Sequence, residues 1–222
     1  MTLASARYEL THLIDAYGIE GFAIVDDNFI VNKNKVSDIC DHVADLGLKW
    51  SALSRVDTVD GDLLARMARA GCIEIKYGME SGSERLLKAM RKNTKQDQIR
   101  RAVMLAAEVG IDVKVFVIHG FPGETMTTTS DTIELLADLG AAVKRVSLFR
   151  FVPLPGTQVY EQAAAYGIRG THLQPDWDGD WSKFHIHHNA RHWWGSNSDW
   201  DETERSYQGL KAFVERNWNQ QG

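Results

Sequence analysis

The chain reads as an α/β protein, a partial parallel (β/α) barrel of TIM type that is missing its first strand and carries a helical C-terminal tail. Three observations predict this. Short apolar runs alternate with amphipathic stretches from residue 6 to about residue 166, as in successive βα units. Each apolar run stops at a polar or Gly/Pro turn. The chain also opens on a helical stripe with no strand ahead of it, although the helix of a βα unit follows a strand.

The elements follow in order. Ala6, Leu10, Leu13, Ile14 and Tyr17 share one helical face that ends at Gly18. Strands are predicted at Phe22 to Val25, Leu48 to Leu53, Ile73 to Tyr77, Val113 to Ile118 and Val146 to Val152. Between them Val36, Ile39, Cys40 and Val43 recur with helical spacing, as do Ile99, Ala102, Val103 and Ala106. Gly47, Gly71 and Gly110 stand just past helical patterns as stops, and Thr94 with Asp97 has the spacing of a capping box. After residue 170 the character changes to Pro, Gly, Trp and Asp, and a helical pattern returns from about Asp201 to Trp218. The expected organisation is a barrel over residues 1–168 and an aromatic, His-rich tail with a terminal helix over residues 169–222.

Composition narrows the function classes. With 44% apolar residues the chain can bury a sizeable core. A net charge of -5 gives no general attraction to phosphate backbones or anionic membranes, so neither nucleic acid nor membrane is an expected partner. Met1 to Asp15 holds no apolar stretch of signal-peptide length, and no later stretch approaches a membrane span; a cytoplasmic location is the default expectation. Two cysteines, Cys40 and Cys72, are too few for a secreted disulfide framework or a cysteine metal knuckle.

Chemistry-bearing residues gather at the predicted strand ends, where parallel α/β folds hold ligands. Asp26-Asp27-Asn28-Phe29 follows the first strand, and such a carboxylate pair can hold an ammonium, a ribose hydroxyl or a hard cation; equally, one Asp can cap the next helix. Arg55 ends the second strand, where its guanidinium can clamp a carboxylate or form a surface ion pair. In Glu80-Ser81-Gly82-Ser83, Gly82 permits close backbone approach and the next helix offers free N–H groups to an anion, while Ser81 or Ser83 can simply cap that helix. Gly120-Phe121-Pro122-Gly123-Glu124-Thr125 shapes a tight turn, and Pro153-Leu154-Pro155-Gly156-Thr157 repeats the arrangement after the last strand. Together these ends define one candidate pocket on one rim.

Two further clusters have plainer explanations. His185, His187, His188 and His192 lie among Trp177, Trp181, Trp193 and Trp194; imidazoles at this density can bind zinc or iron, but no orienting acidic motif accompanies them, and an aromatic tail over the barrel mouth is the expectation. Lys88, Arg91, Lys92, Lys95, Arg100 and Arg101 are expected on a solvated helix face.

Taken in order, Asp-Asp-x-Phe, Ser-Arg-x-Asp, Gly-Met-Glu-Ser-Gly-Ser, Gly-Phe-Pro-Gly-Glu-Thr and Pro-Leu-Pro-Gly-Thr resemble the strand-end motifs of the radical SAM enzymes over roughly residues 7 to 168. The likeness is best to the cobalamin-associated subgroup that includes the anaerobic porphyrin-ring cyclases. The resemblance implies a radical SAM-type barrel, S-adenosylmethionine (SAM) and a [4Fe-4S] cluster as cofactors, cobalamin in the full-length family, and radical modification of a small-molecule substrate. It further implies that Glu80 and Ser81 contact the amino-acid or ribose part of SAM and that Arg55 meets its carboxylate. Asp27, Gly120, Pro122, Gly123, Pro153 and Gly156 would line the same space. The family holds its cluster on three thiolates in a Cys-x-x-x-Cys-x-x-Cys loop, and that motif is absent here. The expectation is therefore a truncated or split chain that works with an upstream-encoded chain carrying the cluster loop or cobalamin domain, and that self-associates through an open sheet edge. The alternatives are a cluster-free adenosyl-binding protein or partner subunit, and a barrel hydrolase or lyase using Asp26, Asp27, Glu80 and the histidines.

Overall fold

A computed structural model describes residues 3–167 and 200–218 of the chain. The strands are β1 (Gly21–Ile24), β2 (Lys49–Ser54), β3 (Cys72–Glu80), β4 (Asp112–His119) and β5 (Val143–Arg150). The helices are α1 (Leu3–Tyr17), α2 (Lys33–Val43), α3 (Gly61–Arg69), α4 (Glu84–Ala89), α5 (Gln96–Glu108), α6 (Met126–Leu139), α7 (Gln158–Glu161) and α8 (Trp200–Trp218). The five strands form one parallel sheet in chain order, and α2, α3, the α4–α5 pair and α6 lie in the crossovers that parallel pairing requires. This is a partial (β/α) barrel with a C-terminal helix, as the alternating pattern predicts.

The chain divides into two compact units, one of Met1–Met79, Asp97–Val115 and Leu139–Arg145, the other of Glu80–Gln96, Phe116–Asp138 and Val146–Gly222. In the first, β1 pairs with β2 from Gly21 opposite Lys49 to Ile24 opposite Ala52. Trp50 is buried, stacks on Phe22 with ring centroids 6.2 Å apart, and donates from Nε1 to the carbonyl of Ala70 at 2.7 Å, so its one polar atom is satisfied. Val36 and Cys40 of α2 and Leu64 and Met67 of α3 complete this core. Helix α1 is tied by Arg7 to Asp45, with both nitrogen–oxygen distances 2.7 Å. In the second unit Leu86, Phe121 and Val159 pack together, and Phe121 meets Phe151 edge-on at 4.9 Å.

Three local expectations are corrected. Asn32, not Asp26 or Asp27, caps α2, its side chain accepting from the Lys35 N–H at 3.1 Å. Thr94 forms no capping box: its Oγ1 is buried without a hydrogen-bond partner, and the Gln96 N–H is instead accepted by Glu84 at 3.3 Å. Strand β5 lies earlier than Val146 to Val152. Its start, Val143-Lys144-Arg145, is disguised by two exposed charged residues, and Val152 precedes Pro153, which cannot extend a ladder.

Candidate functional site

The end of β3 carries the most specific geometry. Glu80 is buried, 8% exposed, and sits at φ +64°, a left-handed conformation that costs a residue with a Cβ about 1–3 kcal/mol. Its Oε1 accepts from Lys92 Nζ at 2.7 Å. Lys92 stands between Arg91 at φ +58° and Asn93 at φ +53°. Among the described residues, Glu80, Arg91 and Asn93 are the non-glycine positions with positive φ, and all three belong to or flank this one ion pair. The sequence reading placed Lys92 on a solvated face; the structure folds it back onto Glu80. The readable signal was the brevity of α4, which ends at Ala89 and returns the chain to the strand end.

Ser81, Gly82 and Ser83 are buried and internally satisfied. The Gly82 N–H donates to Thr132 Oγ1 at 2.9 Å and the Ser83 N–H to Ser81 Oγ at 3.1 Å. Thr132 gives its own proton to the Thr128 carbonyl at 3.1 Å, so Ser81 is the donor across the 3.3 Å that separates the two hydroxyls. The Gly82 and Ser83 N–H groups are thus committed to the chain itself, while Ser83 makes no side-chain cap to α4. Gly82 does permit close approach, but of α6: a Cβ there would lie 2.4 Å from the carbonyl oxygen of Asp131 and 2.5 Å from Thr132 Cα.

The loop after β4 folds on a buried acid. Glu124 accepts from the Gly120 N–H at 3.2 Å and from Thr128 Oγ1 at 2.5 Å. Burial pushes its carboxyl above the ordinary value of 4.5 even though these donors favour the charged form. Gly120 and Gly123 take φ +90° and +94°, Pro122 is buried, and Arg85 donates to the Gly123 carbonyl at 2.6 Å. After β5, Pro153 is buried and Gly156 is exposed at φ +79°. His119 and Arg150, which sequence reasoning passed over, anchor α8. His119 Nε2 lies 3.0 Å from Ser206 Oγ, and Arg150 binds Glu204 through two bonds of 2.7 and 2.9 Å with its guanidinium over the Tyr207 ring.

In the first unit Asp26 and Asp27 are exposed. Arg55 is engaged by Asp57 two residues on, Nε to Oδ1 at 2.9 Å and Nη2 to Oδ2 at 2.7 Å, which raises its pKa and realises the ion-pair alternative.

The chain does not fit a three-thiolate cluster. It has two cysteines where three are needed; both are buried, and desolvation pushes the Cys40 thiol up to about 11 and Cys72 to about 12. Among the described residues no group of three His, Cys, Asp or Glu side chains is placed to hold a metal ion. His185, His187, His188 and His192 lie outside the described residues. The Glu80–Lys92 pair, by contrast, fits the amino-acid head of SAM: a carboxylate for its ammonium and an ammonium for its carboxylate.

Residues 1–136 match the radical SAM superfamily, and the chain belongs to it. An uncharacterized methyltransferase of Pyrococcus horikoshii is 33% identical over 162 residues, 72% of this chain and 35% of that protein. The anaerobic magnesium-protoporphyrin IX monomethyl ester cyclase of Rubrivivax gelatinosus is 24% identical over 158 residues, 69% of this chain and 28% of the relative. The chain thus spans about a third of the length of the curated relatives it matches. Among solved structures, the radical SAM coproporphyrinogen III oxidase of Escherichia coli superposes with a TM-score of 0.66 at 16% identity, over 97% of this chain and 45% of that one. The methyltransferase TsrM of Kitasatospora setae, with cobalamin and a [4Fe-4S] cluster bound, gives 0.64 at 22% identity, over 76% and 36%. At these identities the structural likeness speaks for the fold. Among the described residues no helix is long and apolar enough to cross a membrane.

Proposed function

We propose that this chain carries the SAM-recognising part of a radical SAM enzyme of the cobalamin-associated kind, acting on a small-molecule substrate, with the cluster held on cysteines other than Cys40 and Cys72. The observation that carries the reading is the Glu80–Lys92 pair on its strained turn. A zwitterionic head entering between the two charges exchanges one ion pair for two, with Glu80 taking the ligand ammonium and Lys92 the ligand carboxylate. Backbone strain held by a closed hydrogen-bond network keeps Glu80 aimed before the ligand arrives, which lowers the ordering cost of binding. The residues described here would bind and orient SAM. Gly120, Pro122, Gly123, Pro153 and Gly156, of the same unit as Glu80, remain part of the proposed lining. The presence of two cysteines, both buried, where a cluster needs three favours, as a second reading, a cluster-free adenosyl-binding subunit.

Calorimetry with S-adenosylhomocysteine tests the assignment. Glu80→Gln keeps the side chain's shape but removes its charge, and losing one charged hydrogen-bond partner is expected to cost about 1.5–3 kcal/mol, roughly ten- to a hundred-and-fifty-fold in Kd. Arg55→Ala is the comparison: it retains most of the affinity if Lys92 is the carboxylate partner. Unchanged binding in Glu80→Gln, or no binding by the parent chain, removes the pair from the site.

A further inference from the structure

Within the second unit, α8 meets the ends of β4 and β5 through two kinds of contact. Leu210 and Val214 are buried, the ordinary way in which an amphipathic helix is held. One turn earlier the buried groups are polar. Ser206, 2% exposed, meets His119, 1% exposed, with 3.0 Å between Oγ and Nε2. Beside them Arg150 binds Glu204, and its guanidinium lies 3.5 Å from the centre of the Tyr207 ring, which also meets His119 edge-on at 5.5 Å. The two strand ends are joined at this level, the Phe151 N–H donating to the His119 carbonyl at 2.8 Å.

The imidazole faces two ways. Its Nε2 also lies 3.2 Å from Thr129 Oγ1, on the first turn of α6. A hydroxyl has one proton to give. Ser206 gives its own to the Thr203 carbonyl at 2.9 Å, and Thr129 gives its own to the Thr125 carbonyl at 3.0 Å or to Glu124 Oε1 at 3.4 Å. Nε2 therefore carries a proton and shares it between an oxygen of α8 and an oxygen of α6. Thr129 in turn lies against Glu124, the carboxylate that accepts the Gly120 N–H and folds the loop after β4. A continuous polar chain thus runs from Ser206 through His119 and Thr129 to that loop.

We propose that His119 is a positioning residue that couples the docking of α8 to the order of the Gly120–Thr125 loop, across the 87 residues that separate it from Ser206. While α8 is docked, Ser206 and Thr129 hold the imidazole between them, and Thr129 stays against Glu124. When α8 leaves, the Nε2 proton loses one of its two acceptors, the imidazole is free to turn from Thr129, and the loop loses a support. A buried donor stripped of its acceptor is costly, so docked and released α8 are two distinct states rather than a graded series. Glu124 is the element that reads which state is present. That this loop lines a ligand space rests on the SAM reading; the coupling does not, since it operates with no ligand bound.

Amide hydrogen exchange of the full chain, read by NMR without ligand, tests the coupling at Gly120, whose N–H is held by Glu124. Ser206→Ala removes the acceptor on α8 with little change of volume. It should speed exchange at Gly120 by roughly tenfold, while unchanged protection of the Ile75 and Tyr77 amides of β3 shows that the fold persists. His119→Leu should speed Gly120 as much. His119→Gln, whose amide N–H can stand where the Nε2 proton stands, should keep it slow. In the double variant Ser206→Ala should add little to His119→Leu, because the path is already cut. Unchanged exchange at Gly120 in Ser206→Ala overturns the proposal, even if the His119 variants fail to fold. So do effects that multiply in the double variant, which would make the two residues independent, and exchange as fast in His119→Gln as in His119→Leu, which would reduce the imidazole to packing.

Discussion

The end of β3 and the free edge of β1 solve opposite problems. At β3 the turn closes on itself: Ser81, Gly82 and Ser83 find their hydrogen-bond partners within the turn and on Thr132, and Glu80 is locked to Lys92. At β1 the strand borders a cleft of mixed lining, in which Leu10, Leu13 and Phe22 stand beside Arg7, Glu9, Asp26 and Lys35. The first region is preformed and suits a small ligand, since exchanging one charged partner for another needs little rearrangement. The second is an open cleft that mixes charged and apolar side chains.

The sharpest way to break the β3 side of this contrast is Gly82→Ala. With a Cβ forced to 2.4 Å from the Asp131 oxygen, either the turn or α6 must move, and destabilisation of about 3 kcal/mol is expected as a lower urea midpoint. A change below about 0.5 kcal/mol would mean that α6 yields freely and the turn is not rigid. Thr132→Val comes next. It keeps volume but removes the acceptor of both Ser81 and Gly82, costing about 1–3 kcal/mol. An S-adenosylhomocysteine affinity that falls along with stability would tie the network to ligand binding.

A gentler effect is set by pH at the neighbouring loop. Burial raises the Glu124 carboxyl above its unfolded value, so the native state binds more protons there than the unfolded chain. Its contribution is fully present below pH 4.5 and is lost as pH rises through the raised native value. Glu124→Gln should flatten that segment of the stability–pH curve, measured by denaturation at a series of pH values; a slope that persists unchanged would assign it to other groups.

Much of the fold was legible because periodicity and punctuation agree. The stripe at Val36, Ile39, Cys40 and Val43 and the stops at Gly47 and Gly71 bracket elements that the structure places within a residue or two. Strand β5 was displaced because Lys144 and Arg145 hide a strand start behind charge. The site was legible by position and not by partner. Glu80 and Gly82 stand out as strand-end residues, yet that Gly82 serves contact with α6 is a fact of chain return that no local pattern encodes, and the reach of Lys92 to Glu80 is signalled by the brevity of α4 alone. His119 and Arg150 went unnoticed for a related reason. Their partners, Ser206 and Glu204, lie 87 and 54 residues away in sequence.

The measurement that bears most directly on the central claim is anaerobic reconstitution of the full chain with iron and sulfide, followed by iron analysis, absorption spectroscopy and titration with SAM. If the Glu80 turn recognises SAM as proposed, a chain with two buried cysteines where the cluster needs three should form no stoichiometric [4Fe-4S] cluster and should bind S-adenosylhomocysteine equally well before and after treatment. One cluster per chain, with a spectrum that changes on adding SAM, would contradict the account and assign cluster ligation to residues of this chain.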